Sequence, residues 1–266
     1  MDTSRSISET TASSSLSHLV ELLLRIARLL LENGAETRRV FETVQEMGKS
    51  LGVEDLHVLV THRSVLITGI RGDDIVTRII RVNTLGVNFT MLSGISRVLK
   101  RYQRGELTIQ TVESELKRLT AMRPHYPRWM VIVMVGLACG GFSLLFEGDA
   151  QAFIACAIAA SLGVFVRQEL HHRAFQPLLF FYATALVSSL VANTLARTLH
   201  SANPNAALVA SVLMLVPGVP MINAVADLVK GHLLTGLARA TTVVLIAFAV
   251  ALGLLTSMYL GGFSKY

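Results

Sequence analysis

Between Val216 and Arg239 the chain reads VPGVPMINAVADLVKGHLLTGLAR, a largely apolar run with polar residues at regular spacing. Asn223, Asp227 and Lys230 stand at i, i+4 and i+7, which puts them on one face of a helix. Upstream, Pro217, Gly218 and Pro220 break that helix, because proline removes a backbone donor and glycine lets the chain turn. Ala206–Val216 would make about 16 Å of helix and Met221–Lys230 about 15 Å. Each is half a bilayer, so the break is expected near the midplane, where freed backbone groups must be covered by protein, water or ligand. Pro220 suits the first position of the second half-helix, whose N–H groups would face the break and favour a carboxylate or another anion. Pro217, Gly218, Pro220 and Asn223 are therefore candidate substrate-binding residues. Asp227, Lys230 and Arg239 are candidates for coupling or gating. Asp227 paired simply with Lys230, and Arg239 reaching to the membrane interface, are the structural alternatives.

A second group, His57, His62, Ser64, Asp73 and Asp74, lies close together in sequence, as a hydrolytic triad would. The chain has no G-x-S-x-G elbow, no H-E-x-x-H metal spacing and no phosphate-binding P-loop. These residues read as hairpin and turn residues, and no enzyme activity, catalytic residue, metal or cofactor is expected. The net charge of +6 comes from bases interleaved with acids at helical spacing, which argues against nucleic acid. Cys139 and Cys156 sit in apolar runs and read as free packing residues.

The elements that must position the first group follow from a division in composition. Residues 1–128 hold 18 of the 24 Lys+Arg and 14 of the 18 Asp+Glu, leaving an apolar second half; mean hydropathy over the whole chain is +0.54. Five candidate spans lie near 129–146, 150–166, 178–198, 206–229 (broken at 217–220) and 233–260. Gly136 and Gly140 on the first, and Ala155, Ala159 and Gly163 on the second, allow close helix packing. Arg123 and Arg128 precede the first span, Glu147 and Asp149 follow it, and Arg167 and Arg173 follow the second. That alternation places the charged half in the cytoplasm and the C-terminus outside, with Arg197 against it.

Residues 1–15 are polar and read as a disordered lead-in. Residues 16–122 read as a cytosolic α+β domain. Helix 16–32 carries one thin polar stripe (Glu21, Arg25, Arg28, Glu32), and a second helix covers roughly 36–51. Strands follow at 56–61, 64–70 and 75–82, then helices near 88–104 and 108–120. Residues 123–266 form the transmembrane domain, an α-helical bundle of about five spans. An odd span count without an inverted repeat suggests that a second copy or a different subunit completes the assembly.

MLVPGVPMINAVADLVKGHLLTGLAR (214–239), LLENGAETRRVFETV (30–44) and HYPRW (125–129) together resemble the threonine/serine exporter family, in its split, two-component form. The resemblance covers nearly the whole chain beyond the first fifteen residues. It implies a subunit of a bacterial inner-membrane exporter for a small carboxylate metabolite, a dicarboxylate such as succinate or else threonine and serine. It also implies a small integral-membrane partner subunit and contact with lipid. The rival expectations are a membrane-anchored hydrolase and a regulatory or scaffold subunit.

Overall fold

The computed structural model describes residues 15–82, 86–122, 126–173 and 175–261. Most of the lead-in (1–14), part of the 123–129 join and the last five residues lie outside them. Ser15, assigned to the lead-in by sequence, instead caps the first helix: its Oγ accepts from the His18 amide at 3.3 Å. The chain forms two compact units, one of residues up to 123 plus Val219–Ala240, the other of 124–218 plus residues from Thr241 onward.

In the first unit, α1 (Leu16–Glu32) is the centre, with eleven buried apolar residues. Its polar stripe is the one strip that reaches solvent, where Arg28 and Glu32 pair at 3.4 Å. Helix α2 (Thr37–Ser50) turns Val40, Val44 and Met47 inward. Strands β1 (Asp55–Val60), β2 (Ser64–Arg71) and β3 (Asp74–Arg81) form an antiparallel meander in the order β1-β2-β3. Alternation buries Val65 and Ile67 of β2, and Gly69 admits Val20 of α1 so closely that an added Cβ would lie 2.8 Å from its Cγ2. The two-residue turn Gly72-Asp73 fixes the β2–β3 register, with Gly72 at φ +58°. Helices α3 (Phe89–Gln103) and α4 (Ile109–Ala121) complete the core through Ile95, Leu99, Val112 and Leu116.

The second unit contains α5 (Arg128–Leu145), α6 (Ala150–His172), α7 (Pro177–Thr198), α8 (Pro204–Val212), a 3-10 turn (Leu213–Leu215) and the later part of the last helix. Its inner surface is built from alanines such as Ala155, Ala159, Ala192 and Ala207, so the backbones approach closely. Twice a serine hydroxyl fills the space a glycine leaves: Ser161 over Gly136, and Ser188 over Gly163. Asp149 caps α6 through the Ala152 amide (2.7 Å) and also accepts from Ser201 Oγ and the Ala202 amide, both at 2.7 Å. The Ser201 hydroxyl first, then those amides, holds the Asp149 carboxyl below the usual carboxylate range.

Among the described residues, four helices are long and apolar enough to cross a membrane, and there are up to five if the interrupted pair Pro204–Leu215 and α9 (Gly218–Val229) counts as one. The second span differs from its expected end at 166, because the helix-forming run RQELHH carries α6 on to His172. The fourth is interrupted, with its break slightly upstream of the expected 217–220. It stops in a 3-10 turn, leaves Val216 and Pro217 outside helix, and resumes at Gly218. Pro220 is thus the third residue of α9, still within the first turn, where no intrahelical donor is required. The last helix, α10 (Leu233–Leu260), begins in the first unit and continues in the second.

Candidate functional site

The site forms where α1 hands over to α2. Helix α1 ends at Asn33, and Gly34 follows in the left-handed region at φ +90°. The Ala35 amide donates to the Leu30 carbonyl at 3.0 Å and the Gly34 amide to Leu31 at 3.2 Å, the paired bonds of a Schellman stop. A Cβ on Gly34 would lie 2.9 Å from the Gly86 carbonyl oxygen, so glycine is required here for both conformation and space. Helix α2 then starts with Glu36 at its N-cap, and Glu36 makes no side-chain cap bond. Gly34-Ala35-Glu36-Thr37 therefore presents carbonyls and an uncapped helix start.

Residues from 219–240, within the same unit, engage each of the four. Asn223 Nδ2 donates to the Gly34 carbonyl at 2.9 Å. Arg239 Nη2 donates to the Ala35 carbonyl at 3.3 Å. Lys230 Nζ donates to Glu36 Oε1 at 2.6 Å. Asp227 accepts twice from Thr37, Oδ1 from the amide at 3.1 Å and Oδ2 from Oγ1 at 2.9 Å. Asp227 thus supplies the capping side chain that the N-cap residue Glu36 does not, from 190 residues away, with its charge at the positive end of α2.

Asp227 is fully buried, and Arg239 is only 7% exposed. Arg239 Nη1 lies 3.1 Å from Asp227 Oδ2 without aligned hydrogen-bond geometry, so the contact is an ion pair. Thr235 Oγ1 donates to the Val60 carbonyl at the end of β1 (3.3 Å), which brings the start of α10 to the β1–β2 hairpin. His62, in that hairpin, has its Nδ1 buried with no partner among the described residues. Burial first, then the positive charges of Arg239 and Arg63, hold its pKa below the usual imidazole value, against the opposing pull of Asp227. The arrangement suits holding and releasing a helix, and Asp227, Arg239 and His62 make the hold sensitive to charge.

Of the residues singled out by sequence, Asn223, Asp227, Lys230 and Arg239 come together, all on one short turn. Asn223 lies against Gly34, a protein partner, whereas the sequence placed it beside a bound solute. Asp227 pairs with Arg239 as well as Thr37, while Lys230 pairs with Glu36. Pro217 and Gly218 belong to the second unit and Pro220 to the first. The imagined triad does not assemble: His57 lies within β1, exposed and 3.4 Å from Asp55, His62 lies beyond the end of that strand, and Ser64 bonds within the hairpin to Thr61. No three His, Cys, Asp or Glu side chains cluster as a metal site among the described residues. Thr37 was missed, although a helix start with a non-capping Glu36 signals a cap supplied from elsewhere.

Residues 21–261 match the family described as "Putative threonine/serine exporter". The chain is similar to the "Probable succinate transporter subunit YjjP" of Klebsiella aerogenes, at 31% identity over 92% of this chain and 94% of that protein. The protein of the same name from Escherichia coli K12 is 30% identical over 92% and 95%. A "Probable threonine/serine exporter" of Mycobacterium tuberculosis is 26% identical over 90% of this chain but only 46% of its own length. No solved structure matches the chain.

Proposed function

The chain belongs to the threonine/serine exporter family, a family of transporters and not of enzymes, and on that premise we propose that it is one subunit of a bacterial inner-membrane secondary exporter for a small carboxylate. Succinate or a related dicarboxylate is the first expectation, from the names of the 31% and 30% identical relatives, and threonine or serine the second. A second, small membrane subunit completes the exporter. The word "subunit" in the relatives' names supports this, and so does the Mycobacterium relative, which extends well beyond the matched region. The charged half faces the cytoplasm and the C-terminus the periplasm.

In this reading Pro217, Gly218 and Pro220 shape the substrate passage, since the break exposes backbone groups within an otherwise apolar path. Asn223, Asp227, Lys230 and Arg239 form the gate that fastens α9 and the start of α10 to the Gly34–Thr37 turn. The observation that carries the gate is the complete burial of Asp227 between Thr37 and Arg239. A buried carboxylate with one cation and two donors is stable while the three stay together and costly once they separate.

The test is export by cells lacking the gene and complemented with wild type or Asp227→Asn. Wild type should restore extracellular succinate, and Asp227→Asn should lower it at least tenfold at equal membrane abundance. Unchanged extracellular succinate and threonine in the deletion strain would sink the exporter reading for these solutes. Copurification of the small subunit, then transport in liposomes with each chain alone and both together, tests the two-subunit form.

A further inference from the structure

We infer that Arg167, Thr184 and Ser188 form a binding site for a small carboxylate on the α6–α7 seam of the second unit. The inference rests on the exporter reading and names the side chains that hold the solute. The sequence pattern puts Arg167 in the loop after the second span. Because α6 continues to His172, it lies on the helix, one turn beyond Gly163 and on the same face. Its guanidinium carbon stands 5.5 Å from the centre of the Phe181 ring of α7. Ser188 of α7 seats on Gly163. Those two contacts define one seam, and Thr184, three residues after Phe181 and four before Ser188, faces it.

The guanidinium has no acidic partner among the described residues; the nearby Glu169 pairs with Arg173 at 2.9 Å. Thr184 and Ser188 are both 0% exposed, and neither hydroxyl has a hydrogen-bond partner among the described residues. Other hydroxyls of the same helix behave differently. Ser189 donates to the Ala185 carbonyl at 2.6 Å and Thr194 to the Leu190 carbonyl at 2.8 Å, the usual solution inside a membrane helix. Two buried hydroxyls left without partners are costly, and a carboxylate accepting from both removes that cost. The Arg167 guanidinium lies over Phe181, seven residues and about 10 Å of helix from Ser188. It therefore meets one carboxylate of a dicarboxylate while the hydroxyls donate to the other. Ser188 lies eleven residues into α7, about 16 Å from its start, deeper than a lipid headgroup sits. A small solute fits that depth, and Arg167, nearer the helix ends, meets it first. The Met214 side chain, in the 3-10 turn that leads into Pro217, also packs at Gly163, so occupancy of the seam is felt at the break.

The test is equilibrium binding of radiolabelled succinate to the full chain in nanodiscs, alongside succinate transport by membrane vesicles that contain both subunits. Arg167→Gln and the pair Thr184→Val/Ser188→Ala should each raise the dissociation constant and the half-saturating concentration about tenfold. Maximal rate and membrane abundance should change little, and the hydroxyl variants should unfold at the same or a higher temperature. Ser189→Ala and Thr194→Val should match wild type. Wild-type affinity in both sets of seam variants overturns the site. An Arg167→Gln chain that keeps its succinate affinity but loses dependence on anionic phospholipid makes the guanidinium a lipid contact, which also overturns it. Binding that needs Arg167 in a chain that moves neither succinate nor threonine supports the site while the exporter reading fails.

Discussion

A carboxylate with no exposed surface must be matched by donors on both oxygens, and Asp227 is matched by Thr37 and Arg239. Removing its charge alone strands the Arg239 guanidinium. Asp227→Asn should therefore lower the stability of the first unit by about 3–5 kcal/mol. The doubly neutral Asp227→Asn/Arg239→Gln should be less destabilised than the single variant, because no lone buried charge remains; thermal unfolding in detergent reads both. His62 gives a pH dependence whose sign follows from its lowered pKa. The unfolded chain, with an ordinary imidazole near 6.5, binds the proton more readily than the folded one. Stability contributed by neutral His62 is thus complete above that value and declines as pH falls through it toward the folded-state pKa. His62→Gln should flatten the fall in unfolding temperature that sets in as pH drops below about 6.5.

At the scale of elements, the α1–α2 corner depends on a backbone conformation available mainly to glycine. Gly34→Ala meets a φ of +90° and a carbonyl oxygen 2.9 Å from the new Cβ, and should cost about 1–3 kcal/mol. Hydrogen exchange on the full chain should show the loss at residues 34–37, with the middle of α1 little changed. Much of this part of the fold was legible in the sequence. The 16–32 periodicity, the Asn33-Gly34 stop and the β-rich runs around His62-Arg63 correspond to α1, its C-terminal cap and the β1–β2 hairpin within a residue or so. The spacing of Asn223, Asp227 and Lys230 likewise gave their common face. What that face meets was not legible, because Asp227 and Thr37 are 190 residues apart and helical periodicity speaks only to neighbours within a turn or two. Arg167 was misplaced for a related reason: charge density marked 167–173 as a loop, while local propensity extended α6 through it.

The whole molecule places two chemically different ends on its apolar bundle. Helix α5 starts, α6 ends and α7 starts at one end, near Arg128, Arg167 and Arg173; the α5–α6 and α7–α8 connections meet at the other, where Asp149 binds Ser201 and Ala202. Basic residues stay on the cytoplasmic side because translocating them is unfavourable, whereas acidic residues carry little of that bias. Arg197 opposes the assignment, but its guanidinium donates to Asn193 Oδ1 at 3.0 Å one turn back along α7, so it does not act as a free loop charge. Single cysteines placed at Glu147 or Ala202, in a chain whose Cys139 and Cys156 are replaced by alanine, should react with a membrane-impermeant maleimide in intact spheroplasts. Cysteines at Tyr126 or Phe175 should react only after the membrane is opened. The reverse labelling would invert the bundle, move the Arg167 end to the outer face, and require a carboxylate to enter the α6–α7 seam from outside the cell.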